Sequence, residues 1–336
     1  MLDKIKRIAA VFLCGLILLA MPACVKKNGG ATITDTAFYL DTVVTITLYG
    51  KSDQTLIKDA FKEIARLENL FSRTKRDSDI YKINKNAGVN YVEVSDETIE
   101  LLNLSLKYHD ISENAFDITV GPLILLWDIE NGGYLPTQSE LDEARSHIGC
   151  GKISIEGNRV MLQDNKMILD LGAIAKGYIA DKVKTLLMSK GVESAVIDLG
   201  GNVLTIGSKP DGTEFNIGVQ HPLKQSSEIL GICSISDLSL VSSGNYERYF
   251  IKNGVRYHHI LDPDTGAPSE KGIAGVTVLS EASVDGDALS TSIFVLGLQK
   301  GMELINSTDG VECLMVTTEG EVFFSDNMEQ YFRYYE

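Results

Sequence analysis

Ten consecutive residues, Leu169-Asp170-Leu171-Gly172-Ala173-Ile174-Ala175-Lys176-Gly177-Tyr178, constrain this chain more than any other stretch. The run from Lys166 to Asp170 predicts a strand that delivers a carboxylate, and Gly172 permits an unusual backbone turn. The pattern from Ala173 to Lys190 predicts a helix, stopped by Gly191. Free backbone groups at the helix start and a lysine then converge on one point, which suits a phosphate or a metal carrying phosphates. The same glycines would also serve a tightly packed strand-to-helix corner. Asp170 tilts the balance, because a buried carboxylate must be paired or bound. An ion pair with Lys176 would satisfy it without any ligand.

The chain's beginning explains itself separately. Lys4, Lys6 and Arg7 precede an apolar run from Ile8 to Ala20, broken only by Gly15, with Ala23-Cys24 directly behind. This is the layout of an export signal, too short for a membrane span. Cysteine after a small residue resembles the lipobox of bacterial lipoproteins, although Met21 and Pro22 depart from the usual residues before it. That resemblance implies a diacylated Cys24 and a lipid anchor to the bacterial cell membrane, on the extracytoplasmic face (periplasmic if there are two membranes). The expected organisation is a signal over 1–23, a polar tether over 24–36 and one globular body over 37–336. Removing 1–23 takes away three basic residues and one acidic one, moving the formal charge from −15 to −17. So acidic a body disfavours nucleic acid as a partner. Cys150, Cys233 and Cys313 are widely spaced with no CxxC pair, which predicts buried thiols rather than disulfides or a zinc site.

Helical and strand patterns mix without a repeating βα rhythm, so the fold class read here is α+β, a single body of mixed, largely antiparallel sheets with packed helices. Thr alternating with Val, Ile and Leu over 39–49 predicts a half-buried strand. A helix carrying Leu56, Ala60, Ile64, Leu67 and Phe71 follows, capped by Ser52 or Asp53. A second helix is expected over 96–108 behind Ser95, with Ile99, Leu102 and Leu106 on its apolar side. Strands are expected over 195–199, 215–220, 229–235, 238–242, 257–261 and 273–279, a helix over 285–298, and a closing hairpin around Glu319-Gly320.

Four more clusters carry chemistry. Phe116-Asp117-Ile118-Thr119-Val120-Gly121-Pro122 sets an acid before a Gly-Pro turn, with Trp127 nearby; Ser243 to Tyr249 is rich in groups that hydrogen-bond or stack. In His258-His259-Ile260-Leu261-Asp262-Pro263, strand alternation allows one histidine at most into a given pocket, and spacing does not say which. Asp287 and Thr291 lie one helical turn apart, so carboxylate and hydroxyl share a face, as a hard cation such as Mg²⁺ prefers. Read alone, Asp285 or Asp287 would equally be a helix N-cap.

In their order these segments, with Asp198-Leu199-Gly200-Gly201-Asn202 and Thr265-Gly266, resemble the ApbE family, the FAD:protein FMN transferases, from about Asp41 to the end. The resemblance implies an enzyme that takes FAD as substrate and Mg²⁺ as cofactor. It would move FMN onto a Thr or Ser hydroxyl of a target protein, releasing AMP, with redox-complex or extracellular flavoprotein subunits as acceptors. An FAD pyrophosphatase using the same site on water and a non-catalytic flavin-binding lipoprotein are the alternatives. By resemblance, flavin-binding positions fall on Asp41, Thr74, Ala115, Phe116, Asp117, Asp170, Lys176 and Ile260, and metal positions on the Ala173 carbonyl, Asp287 and Thr291. His259 is the candidate base, with Asp287 or Asp262 competing. Two positions depart from the family pattern. Leu40-Asp41-Thr42 replaces a frequent Met-Gly-Thr, and Thr74 stands where an aromatic often stacks on FAD.

Overall fold

Alternating Thr and aliphatic residues build not one strand but a hairpin, β1 (Ile33–Tyr39) and β2 (Thr42–Leu48), paired antiparallel. Leu40 and Asp41 form its two-residue turn with φ of 55° and 57°, the left-handed pair that matches the twist of the flanking strands. The strand expected over 39–49 is therefore the second arm. The tether expected over 24–36 gives way to β1 from Ile33, where Thr34, Asp35 and Thr36 read as loop although they belong to a strand with one open face. The computed structural model describes residues 31–51, 53–224 and 228–335. The export signal, Cys24 and the alternative cap Ser52 lie outside them. Among the described residues no helix is long and apolar enough to cross a membrane.

The hairpin opens an eight-stranded antiparallel sheet. Its other strands are β6 (Ala195–Leu199), β7 (Asn202–Ile206), β10 (Ser239–Gly244), β13 (Ile273–Ser280), β14 (Val311–Thr317) and β15 (Val322–Phe324), in the order β1-β2-β6-β7-β10-β13-β14-β15. Every residue of β13 is buried, because both sheet faces are covered there. One face packs against helices α1 (Gln54–Phe71), α3 (Asp96–Ile111), α6 (Ala175–Ser189) and α7 (Ser283–Leu296), whose apolar residues form the main core. On the other face Leu240, Leu279 and Leu314 meet Val219, Leu230 and Cys233 of a three-stranded sheet made by β8 (Phe215–Gln220), β9 (Ile229–Ile235) and β16 (Phe332–Tyr334). The three described cysteines are buried and free, as expected.

Asp53 caps α1 by accepting from the Thr55 N–H, and Ser95 caps α3 by accepting from Thr98. The buried side of α3 is Thr98, Leu101, Leu102, Ser105 and Tyr108, rotated from the expected Ile99–Leu106 stripe. Asp79, at the start of α2 (Asp79–Lys85), causes the rotation by drawing in the hydroxyls of Ser95 and Thr98 at 2.8 Å each. The helix expected over 285–298 is shorter at its end. Gly297, with φ of 82°, breaks it before α8 (Leu298–Asn306).

A smaller core of Leu123, Trp127 and Leu261 supports the hairpin β11 (Tyr249–Lys252) and β12 (Val255–His258), whose Phe250 and Tyr257 lie against Trp127. The strand expected over 257–261 ends at His258. Residues 259–261 leave it to line a cleft.

Candidate active site

The opening corner differs from its expected form in each local detail, yet still delivers its groups to one place. Residues 166–170 form no strand. Ile168 makes one parallel bridge to Val120, and the Leu169 backbone is held by the Asn84 side chain, which accepts from its N–H at 2.7 Å and donates to its carbonyl at 2.9 Å. The 118–121 backbone pairs with one side, the Asp170 N–H donating to the Ile118 carbonyl at 2.8 Å and the Gly121 N–H to the Ile168 carbonyl at 3.2 Å, and a side-chain amide satisfies Leu169 between them. The Leu171 carbonyl accepts from both Ile174 and Ala175 in a tight turn, so the helix begins at Ala175, two residues later than expected. Gly172 is not left-handed. Its N–H donates to Asp170 Oδ1 at 2.8 Å, and a Cβ there would stand 2.9 Å from the same oxygen.

Nor do Asp170 and Lys176 pair with each other. Asp170 Oδ2 binds Arg73 Nε at 2.6 Å, whereas Lys176 Nζ approaches Asp287 Oδ1 at 3.3 Å. Asp287 Oδ2 accepts from the Gly177 N–H at 2.8 Å. The Asp287 side chain is only 4% exposed, so its charge rests on one distant ammonium, one peptide N–H and the start of α6. The N-cap alternative fails for both acids. Ala282 is the N-cap of α7, Asp287 faces α6, and Asp285 accepts from the Tyr108 hydroxyl.

One cleft gathers Ala115, Phe116, Asp117, Asp170, Ala173, Lys176, His259, Ile260, Asp287 and Thr291. Two expected positions are absent from it. Asp41 is exposed in the β1–β2 turn, and Thr74 is exposed with its hydroxyl on Ser72 Oγ at 3.1 Å. Arg73 enters the cleft instead, because Asp170 draws it in. Arg73, Glu130, Glu247, Arg248 and Asn202 are wall residues that sequence reasoning missed as site residues. Each of them except Glu130 sits inside or beside a segment quoted for its pattern. Glu130 ties the wall together, accepting from Arg248 at 2.7 Å and lying 4.0 Å from Arg73.

The two histidines separate as alternation requires. His258 is buried, donating from Nε2 to the Ser269 carbonyl at 3.1 Å and accepting at Nδ1 from the Ile260 N–H. Burial lowers its pKa to about 4, so it is a neutral structural residue. His259 faces the cleft with Nδ1 3.3 Å from the Arg248 carbonyl, which leaves Nε2 as the proton acceptor. Burial, then the charge of Arg248, holds its pKa well below 6.5. It is thus a neutral base at neutral pH. Asp262 is occupied elsewhere, accepting from the Asp264 and Thr265 N–H groups of its own turn, and does not line the cleft.

Asp117 is fixed from several sides. Its Oδ1 accepts from the Thr119 N–H at 2.6 Å and lies 3.4 Å from Cys150 Sγ, while His109 Nδ1 lies 3.7 Å from Oδ2. Ligand atoms of His109, Asp117 and Cys150 come within 4.8 Å of one another. They are nonetheless a poor metal set. His109 Nδ1 is engaged by the Phe116 carbonyl at 2.9 Å, and burial pushes the Cys150 thiol far above its ordinary range. The trio instead clamps the 115–117 segment.

Asp287, Thr291 and Ala173 all line the cleft, and the Thr291 hydroxyl has no hydrogen-bond partner among the described residues. Six acidic side chains (Asp117, Asp128, Glu130, Asp170, Glu247, Asp287) face three basic ones (Arg73, Lys176, Arg248). A cleft so acidic repels a pyrophosphate unless a cation joins it. A buried carboxylate, a free hydroxyl and a carbonyl are the all-oxygen set that fits Mg²⁺.

The profile of the ApbE family matches residues 40–315. Two relatives named FAD:protein FMN transferase are similar along most of their length. That of Klebsiella pneumoniae is 36% identical, over 81% of this chain and 85% of its own. That of Treponema pallidum is 32% identical, over 92% and 90%. The crystal structure of the ApbE protein from Thermotoga maritima superposes with a TM-score of 0.83 at 32% identity, covering 90% of this chain and all of that one.

Proposed function

The chain belongs to the ApbE family, and from that premise we propose that it is an FAD:protein FMN transferase, dependent on Mg²⁺, that modifies a Thr or Ser hydroxyl of a target protein and releases AMP. The observation that carries this reading is the buried Asp287 carboxylate held between Lys176 and the Gly177 N–H, one turn from the free Thr291 hydroxyl. A protein that only bound flavin would have no use for a charge kept dry at this cost.

Asp287, Thr291 and the Ala173 carbonyl would hold the cation, whose charge offsets that of the pyrophosphate. Lys176 and Arg73 bind and orient the phosphates, and the clamped 115–117 segment with Ile260 receives the flavin half. His259 Nε2 takes the proton of the acceptor hydroxyl as its oxygen attacks the FMN-side phosphorus. One P–O bond forms to the acceptor, the bridging P–O bond breaks, and AMP leaves with the electron pair. The acceptors read here are redox-complex or extracellular flavoprotein subunits. The protein works outside the cytoplasm, anchored through a lipid on Cys24.

Incubating the protein with FAD, Mg²⁺ and a domain bearing an acceptor Thr should give an acceptor heavier by one FMN, seen by intact mass. AMP release without an adduct would replace the transferase reading by FAD hydrolysis. FAD binding with neither product would leave a flavin carrier. For the anchor, Cys24→Ala should move the protein from the membrane fraction to the soluble one.

A further inference from the structure

The starts of α6 and α7 are capped reciprocally. Neither helix has a side-chain cap of its own, since Ile174 and Ala282 stand at the N-cap positions. Asp287 of α7 accepts from the Gly177 N–H of α6. Asp181, one turn farther along α6, accepts from the Ser283 N–H at 2.8 Å through Oδ1 and from the Val284 N–H at 2.9 Å through Oδ2. Both oxygens are used, and on successive N–H groups, which fixes the rotation of α7 as well as its height. Ser283 is also fixed on its far side, its hydroxyl donating to Asn202 Oδ1 at 2.6 Å and accepting from Ser239 at 2.8 Å. Asp287 follows Ser283 by one turn and Thr291 by two, so any slip at Ser283 moves both into or out of the cleft.

We propose that Asp181 is a positioning residue for the cation site: through the first turn of α7 it sets where Asp287 and Thr291 stand relative to Lys176 and the cleft. The proposal rests on the reading of Asp287 and Thr291 as cation ligands given above. Asp181 itself does not line the cleft. An ordinary Ser or Thr cap at 282 would satisfy one α7 N–H without burying a charge, whereas this carboxylate is pushed up to about 6 by burial, against the pull of its two N–H bonds. What it adds over such a cap is a link between the two helices that make the site.

The test is Mn²⁺ binding to the full chain with FAD present, read from the electron paramagnetic resonance of free Mn²⁺, for wild type, Asp181→Ala, Asp181→Asn and Leu187→Ala. Leu187 is buried on the same helix and serves as a control for simple destabilisation. All are measured where circular dichroism shows them folded, and the near-isosteric Asn variant carries the test if Ala does not fold. Affinity should fall about tenfold or more in Asp181→Ala, by less in Asp181→Asn, and stay unchanged in Leu187→Ala. Wild-type affinity in both Asp181 variants, or an equal loss in Leu187→Ala, would overturn the positioning role alone. A wild type that binds no Mn²⁺ would overturn the cation-site reading and this inference with it.

Discussion

Gly177→Ala is the sharpest probe of the site, because it adds one methyl at the crossing of α6 and α7. The new Cβ would stand 2.3 Å from the Ser283 carbonyl oxygen and 2.7 Å from both the Ser283 carbonyl carbon and Val284 Cα. These are backbone atoms that cannot rotate away. Comfortable carbon–oxygen contact needs about 3.3 Å, so the helices must part by about 1 Å. Overpacking of this kind costs about 1–3 kcal/mol, against which alanine's helix propensity returns about 1 kcal/mol. The net of ~0–2 kcal/mol predicts a melting temperature lowered by no more than about 8 °C. Activity should suffer far more. Parting the helices stretches the Gly177–Asp287 hydrogen bond and separates Lys176 from Asp287, and a misplacement of about 1 Å costs on the order of 10²-fold in rate. FMN transfer followed by intact mass under saturating FAD measures this. Gly151→Ala, where a Cβ meets nothing within 4 Å, is the control and should transfer at the wild-type rate. A Gly177→Ala enzyme within about threefold of wild type would refute the argument that this helix crossing sets the chemistry.

Asp287→Asn keeps the shape of the site and removes its charge; turnover should fall on the order of 10³-fold while FAD affinity, read by flavin fluorescence, changes far less. Lys176→Met should slow transfer about 10²-fold at saturating FAD, whereas Ala173→Ser, which leaves the backbone carbonyl in place, should stay within about threefold. The Asp181 carboxyl lies at about 6 in the folded protein against 3.8 when free, so the folded state binds its proton more tightly. The Asp181 contribution to stability should therefore decline by about 3 kcal/mol as pH rises from about 4 through 6 and level off above, so the difference between wild-type and Asp181→Asn thermal melts should change by that amount over the same range. His259, held well below 6.5, should remain neutral by imidazole NMR at pH 6.5, where an ordinary histidine is half protonated.

Sequence reasoning reached as far as local periodicity and side-chain chemistry reach, and stopped where tertiary pairing decides. Strands such as β6, β8 and β9 stood at their expected bounds because alternation and flanking turn residues define them locally. The 166–170 segment misled because its partners, a single bridge to the 118–121 backbone and the amide of Asn84, are distant in sequence, and a side chain that completes so short a pairing leaves no periodic trace. The same cause explains the exchanged ion pairs. Asp170 and Lys176 are neighbours along the chain, yet Arg73 and Asp287 are nearer in space, and only the packing of α1, α6 and α7 reveals it. Thr74 and Asp41 lie outside the cleft for a different reason. Both positions came from a family pattern at points where this chain departs from it, and each departure falls in an exposed turn with no buried contact to hold a side chain in the cleft. Asp170, Lys176 and Asp287, where resemblance and the need to compensate a charge coincide, line one cleft with Thr291, and each of those three charges is met by another residue of the same cleft, Asp170 by Arg73 and Lys176 by Asp287.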